Sequence, residues 1–386
     1  MKPIIQFNQV PCDHCIKCVK ECPVDAISIL DGIVKIDESK CIHCDICVRA
    51  CVDKKLSAHG DHLSTTMGQY DYTVALLPTC FLSETREYID IKKIALAVKK
   101  LGFDEVIQYS DIEGFMYERS LRCSKERSDI SITSFCPTID KLVENEYPTL
   151  YDRLLQYDYP EEILAKQLRK KYADRKLGIY SLCPCIGKLT LAKHPYGNED
   201  SEIDHAISIS HLFPKINALK SDETLDLDLC KSGVKHVTCD LFGKEDINCV
   251  SVDGLDQVRN VLELIEFDQL EDIDLVALYA CYQGCIGGYY LWANPYEGVR
   301  NVKHVVDQCI LPIKKLKKEE YLKDRESNSE TIDFKEKMAW FNKVNEILET
   351  LPQYDCGSCG FANCRNLANH IAKGEVTDEL CRVKKR

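Results

Sequence analysis

Residues 12–51 repeat one spacing, C-x2-C-x2-C-x3-C, first as CDHCIKCVKEC and again as CIHCDICVRAC. A structural cysteine has no reason to keep a fixed distance from its fellows, whereas thiolates that ligate metal must be so held. The chain carries 23 cysteines in 386 residues. Its opening stretch, MKPIIQFNQVPCDHC, has no charged segment followed by an apolar run of the signal-peptide kind. No apolar run approaches the ~18 residues of a membrane span. The expected compartment is therefore the reducing cytoplasm, where spaced cysteine clusters argue metal binding rather than a disulfide framework. A net charge of −12 disfavours a nucleic-acid partner. The basic runs IKKLKK and RVKKR read as solvated faces.

The doubled spacing resembles that of bacterial ferredoxins with two 4Fe-4S clusters, in which the fourth cysteine of each run ligates the other cluster. The resemblance implies one cluster on Cys12, Cys15, Cys18 and Cys51 and a second on Cys22, Cys41, Cys44 and Cys47. Zinc is the alternative, but its usual sites take ligands in two pairs rather than in triplets with a distant fourth. The β-branched AISIL and GIVKID between the runs suit a small hairpin. Pro23 follows the first run, whereas Val52 stands at the matching place after the second.

From Thr73 to Leu316 the grammar changes. YTVALLP and DEVIQYS read as strands around a helix in TREYIDIKKIALAVKKLGF. LGIYSLCP and IDLVALYAC are strands that run straight into cysteines. Strand–helix alternation predicts an α/β domain with a mainly parallel sheet, and its ligands would then sit at the carboxyl ends of strands. After the polar stretch YLKDRESNSET, Phe334, Met338, Phe341, Val344 and Leu348 recur at helical spacing as a packing face. The last segment then spaces Cys356, Cys359, Cys364 and Cys381 as C-x2-C-x4-C-x16-C. It resembles the 4Fe-4S module of Rnf-complex B subunits and corrinoid-protein subunits, with a zinc site as the alternative. Three domains are expected: a ferredoxin-like α+β domain over 1–60, an α/β domain over 73–316, and a small helical cluster domain over 331–386.

Three cysteine-bearing stretches of the middle domain, ITSFCPTIDK, IYSLCPCIGK and ALYACYQGCIGG, resemble the three signature motifs of FeFe hydrogenases. That resemblance implies a fourth 4Fe-4S cluster, a cubane on Cys136, Cys185, Cys281 and Cys285. Cys285 would also bridge to a two-iron unit carrying CO, cyanide and a dithiolate, and Lys188 would donate to a cyanide of that unit. It further implies dihydrogen and protons as substrates, a redox partner such as ferredoxin, and maturation proteins. Where the family's first motif has a proton-passing cysteine this chain has Phe135, which carries no exchangeable proton. Tyr279 and Cys183 stand for methionines, and Tyr282 and Gln283 for smaller residues. These departures resemble the sensory-type branches of the family. Another proton route would then be needed, through water, Cys183 or a glutamate such as Glu144 or Glu146.

Cys80, Cys123, Cys230, Cys239, Cys249 and Cys309 have no motif spacing and read as buried small hydrophobes. His194, His205 and His236 fall in polar stretches with nothing to mark them as ligands. Two functions stay open at this point. One is a hydrogenase fed through accessory clusters; the other is a hydrogenase-like electron-transfer or binding protein without the two-iron unit.

Overall fold

The computed structural model describes residues 4–8, 12, 15–58, 60–193, 200–244, 248–323 and 334–384, with the side chains of 334–337 outside the description. His194, most of the polar stretch after Tyr321 and the last two residues of RVKKR lie outside the described residues. The chain divides into two compact units: Met1–Ala58 with Asn328–Arg386, and His59–Ser327. Both ends of the chain thus fold into one body.

In the first unit, strand β1 (Ile5–Phe7) will pair with β4 (Leu56–Ala58), and β2 (Ile27–Leu30) forms an antiparallel hairpin with β3 (Ile33–Ile36). The hairpin is the one expected from AISIL and GIVKID. Each cysteine run ends in a short helix, Lys17–Lys20 or Ile46–Ala50, entered through left-handed backbone at Ile16 (φ 53°) or Asp45 (φ 66°). Such backbone costs a non-glycine residue about 1–2 kcal/mol and curls the loop back on itself. At the other end of the chain, helix Phe334–Glu349 packs beside helix Cys364–Ala372. Val344 and Leu348 enter the small core with Phe361 and Leu367. Met338 and Phe341, expected on the same packing face, are about half exposed, at 48% and 51%.

The second unit contains two all-parallel sheets. One has the order β6 (Glu105–Gln108), β5 (Tyr72–Leu77), β8 (Leu177–Cys183), β9 (His205–Ser208). The other has the order β10 (Cys249–Asp253), β11 (Leu275–Tyr279), β7 (Ser131–Ile132). β8 and β11 are buried along their full length, which is why their sequences read as apolar runs without alternation. The helix expected after β5 is shorter than its pattern and covers Tyr88–Lys99. Its start is fixed by Asp90, whose carboxylate accepts the Glu87 N–H at 3.1 Å. Among the described residues no helix is long and apolar enough to cross a membrane.

Candidate functional site

In the first unit, cysteines distant in sequence share walls. One cavity is lined by Cys12, Cys15, Cys18 and Cys51, with Ile16, Ile29, Val34 and Leu56 closing it. A second is lined by Cys22, Cys41, Cys44 and Cys47, with Ile5, Val24, Ile27 and Ile42 around them. In both, the fourth cysteine comes from the other run. Burial pushes the Cys18 thiol up to about 12, and the neighbouring Cys12, Cys51 and Cys15 push it further in the same direction. Burial likewise raises Cys44 and Cys47. Four thiolates in such apolar walls form only around a cationic group, so the donor set fits an iron–sulfur cluster. At the carboxyl end, Cys359 lies within electrostatic reach of Cys381 and Cys356, and Cys364 and Cys381 are buried in the small core. Among the described residues no three of His, Cys, Asp or Glu are drawn together as a site for a single metal ion.

The second unit assembles its site from both sheets. β7 leads into Cys136, which precedes Pro137 at the start of helix Pro137–Glu146; proline suits that position because it has no N–H to leave unpaired. β11, paired with β7, leads into Cys281, and the Ala280 N–H beside it points at the Cys136 sulfur. β8 of the other sheet leads through Cys183 and Pro184 to Cys185 at the start of helix Ile186–Lys193. At Gly187 a Cβ would stand 2.8 Å from the Thr138 hydroxyl, so a glycine there lets the helices that follow Cys136 and Cys185 meet. Cys285 lies within electrostatic reach of Cys136 and Cys185. The carbonyl of Cys281, four residues earlier on the same loop, accepts the Gly284 N–H at 3.1 Å.

Beside Cys285 opens a cavity with about 330 Å³ of free space, part of it reaching solvent. Its wall includes Cys285, Lys188, Phe135, Cys80, Glu113 and His236. Lys188 is paired: its Nζ reaches the two Glu161 carboxylate oxygens at 2.6 and 2.9 Å. Burial alone would lower its pKa, but Glu161, with Cys285 and Glu113 near, holds it above the ordinary lysine value, so the cation persists. Burial pushes the Glu113 carboxyl up to about 8. It also pulls the His236 imidazole down to about 3, helped by the Lys188 charge. The Oε2 of Glu113 and both ring nitrogens of His236 are buried without a hydrogen-bond partner among the described residues. Such atoms normally find partners, so this wall suits a polar occupant. Two cysteines, a fixed cation and unused polar atoms fit an anionic group that brings its own ligands.

Phe135 packs against His236 and Tyr279, with ring centroids 4.6 and 4.8 Å apart. Tyr279 turns its hydroxyl away to the His236 carbonyl at 2.8 Å. Gln283 takes left-handed backbone (φ 65°), a conformation easy for glycine, and its side chain approaches Asp253. Tyr282 is 58% exposed. Of the bulky departures, Phe135 is the one on the cavity wall.

Some residues lie elsewhere than the sequence suggested. Cys183 is buried, but its sulfur faces Ser181 at 3.5 Å. Glu144 is half-buried, and Glu146 is exposed within 3.9 Å of Arg259. Neither lines the cavity. Cys80, Cys230, Cys239 and Cys309 are buried as expected, whereas Cys123 and Cys249 are half-buried. His205 meets Tyr70 at 3.0 Å and Asp61 at 3.3 Å. Sequence reasoning missed Cys80, Glu113 and His236. Glu113 had a signal: it shares one helical stripe with Met116, Tyr117, Ser120 and Ser124, all buried.

Comparison with known proteins gives three family matches. Residues 72–224 match the family described as "Iron only hydrogenase large subunit, C-terminal domain". Residues 11–54 match "4Fe-4S dicluster domain", and residues 351–383 match a family named for a proposed Fe-S cluster. Cys281 and Cys285 fall beyond the hydrogenase match. Similar solved structures include one on stepwise FeFe-hydrogenase H-cluster assembly (14% identity, 66% of this chain and 94% of that chain, TM-score 0.48). Another, on oxygen inactivation of FeFe-hydrogenase, has 14% identity, 66% and 93% coverage and a TM-score of 0.47. A variant of the FeFe-hydrogenase HydA1 from Chlamydomonas reinhardtii has 13% identity, 66% and 94% coverage and a TM-score of 0.48. The chain is an FeFe-hydrogenase-like iron–sulfur protein.

Proposed function

We propose that this FeFe-hydrogenase-like chain interconverts dihydrogen with protons and electrons at the cavity beside Cys285. The observation that carries the reading is that cavity: Cys285 with Cys80, the buried Lys188 cation and the unpartnered Glu113 and His236 atoms face a single space. Cys136, Cys185, Cys281 and Cys285 would hold a 4Fe-4S cubane, and Cys285 would also hold a two-iron unit with CO, cyanide and dithiolate ligands. When bound, that unit supplies the metal centre at which dihydrogen is made or split.

The chain's own residues do the rest. Lys188, oriented by Glu161, offers a fixed positive charge and a donor to an anionic group. Neutral His236 offers a ring N–H or a lone pair without adding charge. Glu113 holds a proton at neutral pH and can pass it, a role Phe135 cannot fill. Phe135, packed against Tyr279 behind it, keeps that side of the wall dry. Electrons would reach the cubane from accessory 4Fe-4S clusters on Cys12, Cys15, Cys18 and Cys51, on Cys22, Cys41, Cys44 and Cys47, and on Cys356, Cys359, Cys364 and Cys381. The partners are a carrier such as ferredoxin and hydrogenase maturation proteins; turnover is slow, in keeping with a sensory-type role in the cytoplasm.

The test is hydrogen evolution from a reduced carrier, and its reverse, with protein expressed beside the maturases. Metal analysis of anaerobically reconstituted chain without the two-iron unit should approach about sixteen irons for four clusters. A value near twelve with one zinc would overturn the carboxyl-terminal assignment. Phe135 on the wall favours a second reading, a hydrogenase-like electron-transfer protein without the two-iron unit; full iron with no hydrogen chemistry in either direction would choose it.

A further inference from the structure

The first and last cysteine segments of the chain are joined through the residues that wall the first cluster cavity. Ile16 and Ile29 line the cavity of Cys12, Cys15, Cys18 and Cys51. The loop between Cys356 and Cys364 rests on the same two residues. At Gly357 a Cβ would come within 2.6 Å of the Ile16 side chain, and at Gly360 it would collide with the Ile29 carbonyl. Only glycine fits at Gly360, where the clash is with backbone, and both glycines have positive φ, 75° and 89°, which strains any side chain. The Ile29 N–H donates to the Gly360 carbonyl at 2.9 Å.

Polar contacts lock the same seam. Lys20, two residues after Cys18, donates its ammonium to the carbonyls of Asp355 and Ala362, which flank the Cys356–Cys359 loop. Asn363 caps helix Cys364–Ala372 and also donates to the Asp25 carboxylate at 3.3 Å, while Asn366 donates to the Asp25 carbonyl at 3.4 Å. Leu30 packs into the small core that holds Cys364 and Cys381. A loop tethered through hydrogen bonds, a charged donor and apolar contact is a fixed neighbour rather than a separate domain on a linker.

We propose that the carboxyl-terminal cluster is the immediate electron-transfer neighbour of the cluster on Cys12, Cys15, Cys18 and Cys51, so that the two ends of the chain form one three-cluster relay. One electron at a time would pass between them: the carboxyl-terminal cluster would be oxidised as its neighbour was reduced, or the reverse, with no bond made or broken. Ile16, Ile29 and Lys20 are the bridge. The inference rests on the cluster assignments of the proposed function and adds their connection.

The test uses the full chain, reconstituted anaerobically, reduced and examined by electron paramagnetic resonance. In wild type the amino-terminal cluster signals should be broadened and fast-relaxing through a third nearby spin. Cys359→Ser with Cys381→Ser, which removes the third cluster, should sharpen and slow them. Gly360→Val, which keeps every cysteine but forces the loop from Ile29, should give the same sharpening with iron unchanged. Amino-terminal signals identical in line shape and relaxation with and without the third cluster would overturn the relay. A wild type near twelve irons would overturn it differently, by removing the carboxyl-terminal cluster, and metal analysis separates the two failures.

Discussion

The cavities of the two units have similar free space, about 290 and 360 Å³ in the first and 330 Å³ in the second, but opposite walls. Each cavity of the first unit shows four cysteines in a largely aliphatic surround. The cavity of the second shows two cysteines, a paired lysine, a carboxyl that keeps its proton and an imidazole that stays neutral. The first kind of wall, four thiols among aliphatic side chains with Asp53 and Lys55 on one cavity and Asp45 on the other, suits an electron carrier. The second can hold an anionic centre and also exchange protons with it. A wall dominated by thiols suits electron transfer, whereas a lysine, a protonated carboxyl and a neutral imidazole around one cavity suit proton exchange.

The contrast breaks most sharply at Cys285. Cys285→Ser should abolish hydrogen turnover and disturb the two-iron unit while leaving the iron and the reduced spectrum of the first unit intact; unchanged turnover would remove the basis of the assignment. Glu113→Gln comes next. It keeps the shape and removes the proton, so turnover should fall about 100- to 10,000-fold. Equal turnover would transfer the proton role to Cys80 or to water. Phe135→Cys acts in the other direction by placing a thiol on the same wall. Proton reduction should rise, by less than Glu113→Gln lowers it; no rise in a variant with its two-iron unit intact would mean that delivery at this position does not limit the rate.

The smallest effect concerns stability. Between the ordinary glutamate range and about 8, the folded chain keeps a proton on Glu113 that the unfolded chain has lost. The folded state therefore binds more protons in that window, and stability falls as pH rises through it. Glu113→Gln should remove that fall, so the variant gains on wild type from pH 5 to pH 8 in denaturant titrations. Parallel curves would mean that Glu113 ionises freely.

Much of this contrast could be read from the chain. The accessory donors sit in short local spacings, because a loop that wraps a cluster must return its cysteines at fixed intervals. Parallel strands running into Cys185 and Cys281 were also visible, since a strand buried on both faces reads as an unbroken apolar run. The proton-bearing wall was not. Cys80, Glu113, Phe135 and His236 come from four separate segments, and only Phe135 lies in a motif. The union of the chain ends was equally hidden, because it depends on Lys20 meeting Asp355 and Ala362, and Ile29 meeting Gly360, across the whole sequence.

The central claim is that the Cys285 cavity holds a two-iron unit. An infrared spectrum of maturase-expressed protein tests it without relying on turnover, which the missing thiol would lower in any case. Bands in the window where metal-bound CO and cyanide absorb are expected in wild type, shifted when Lys188→Met removes the cation from the cavity wall. A clean window in protein carrying its full complement of 4Fe-4S clusters would contradict the claim and leave an electron-transfer protein.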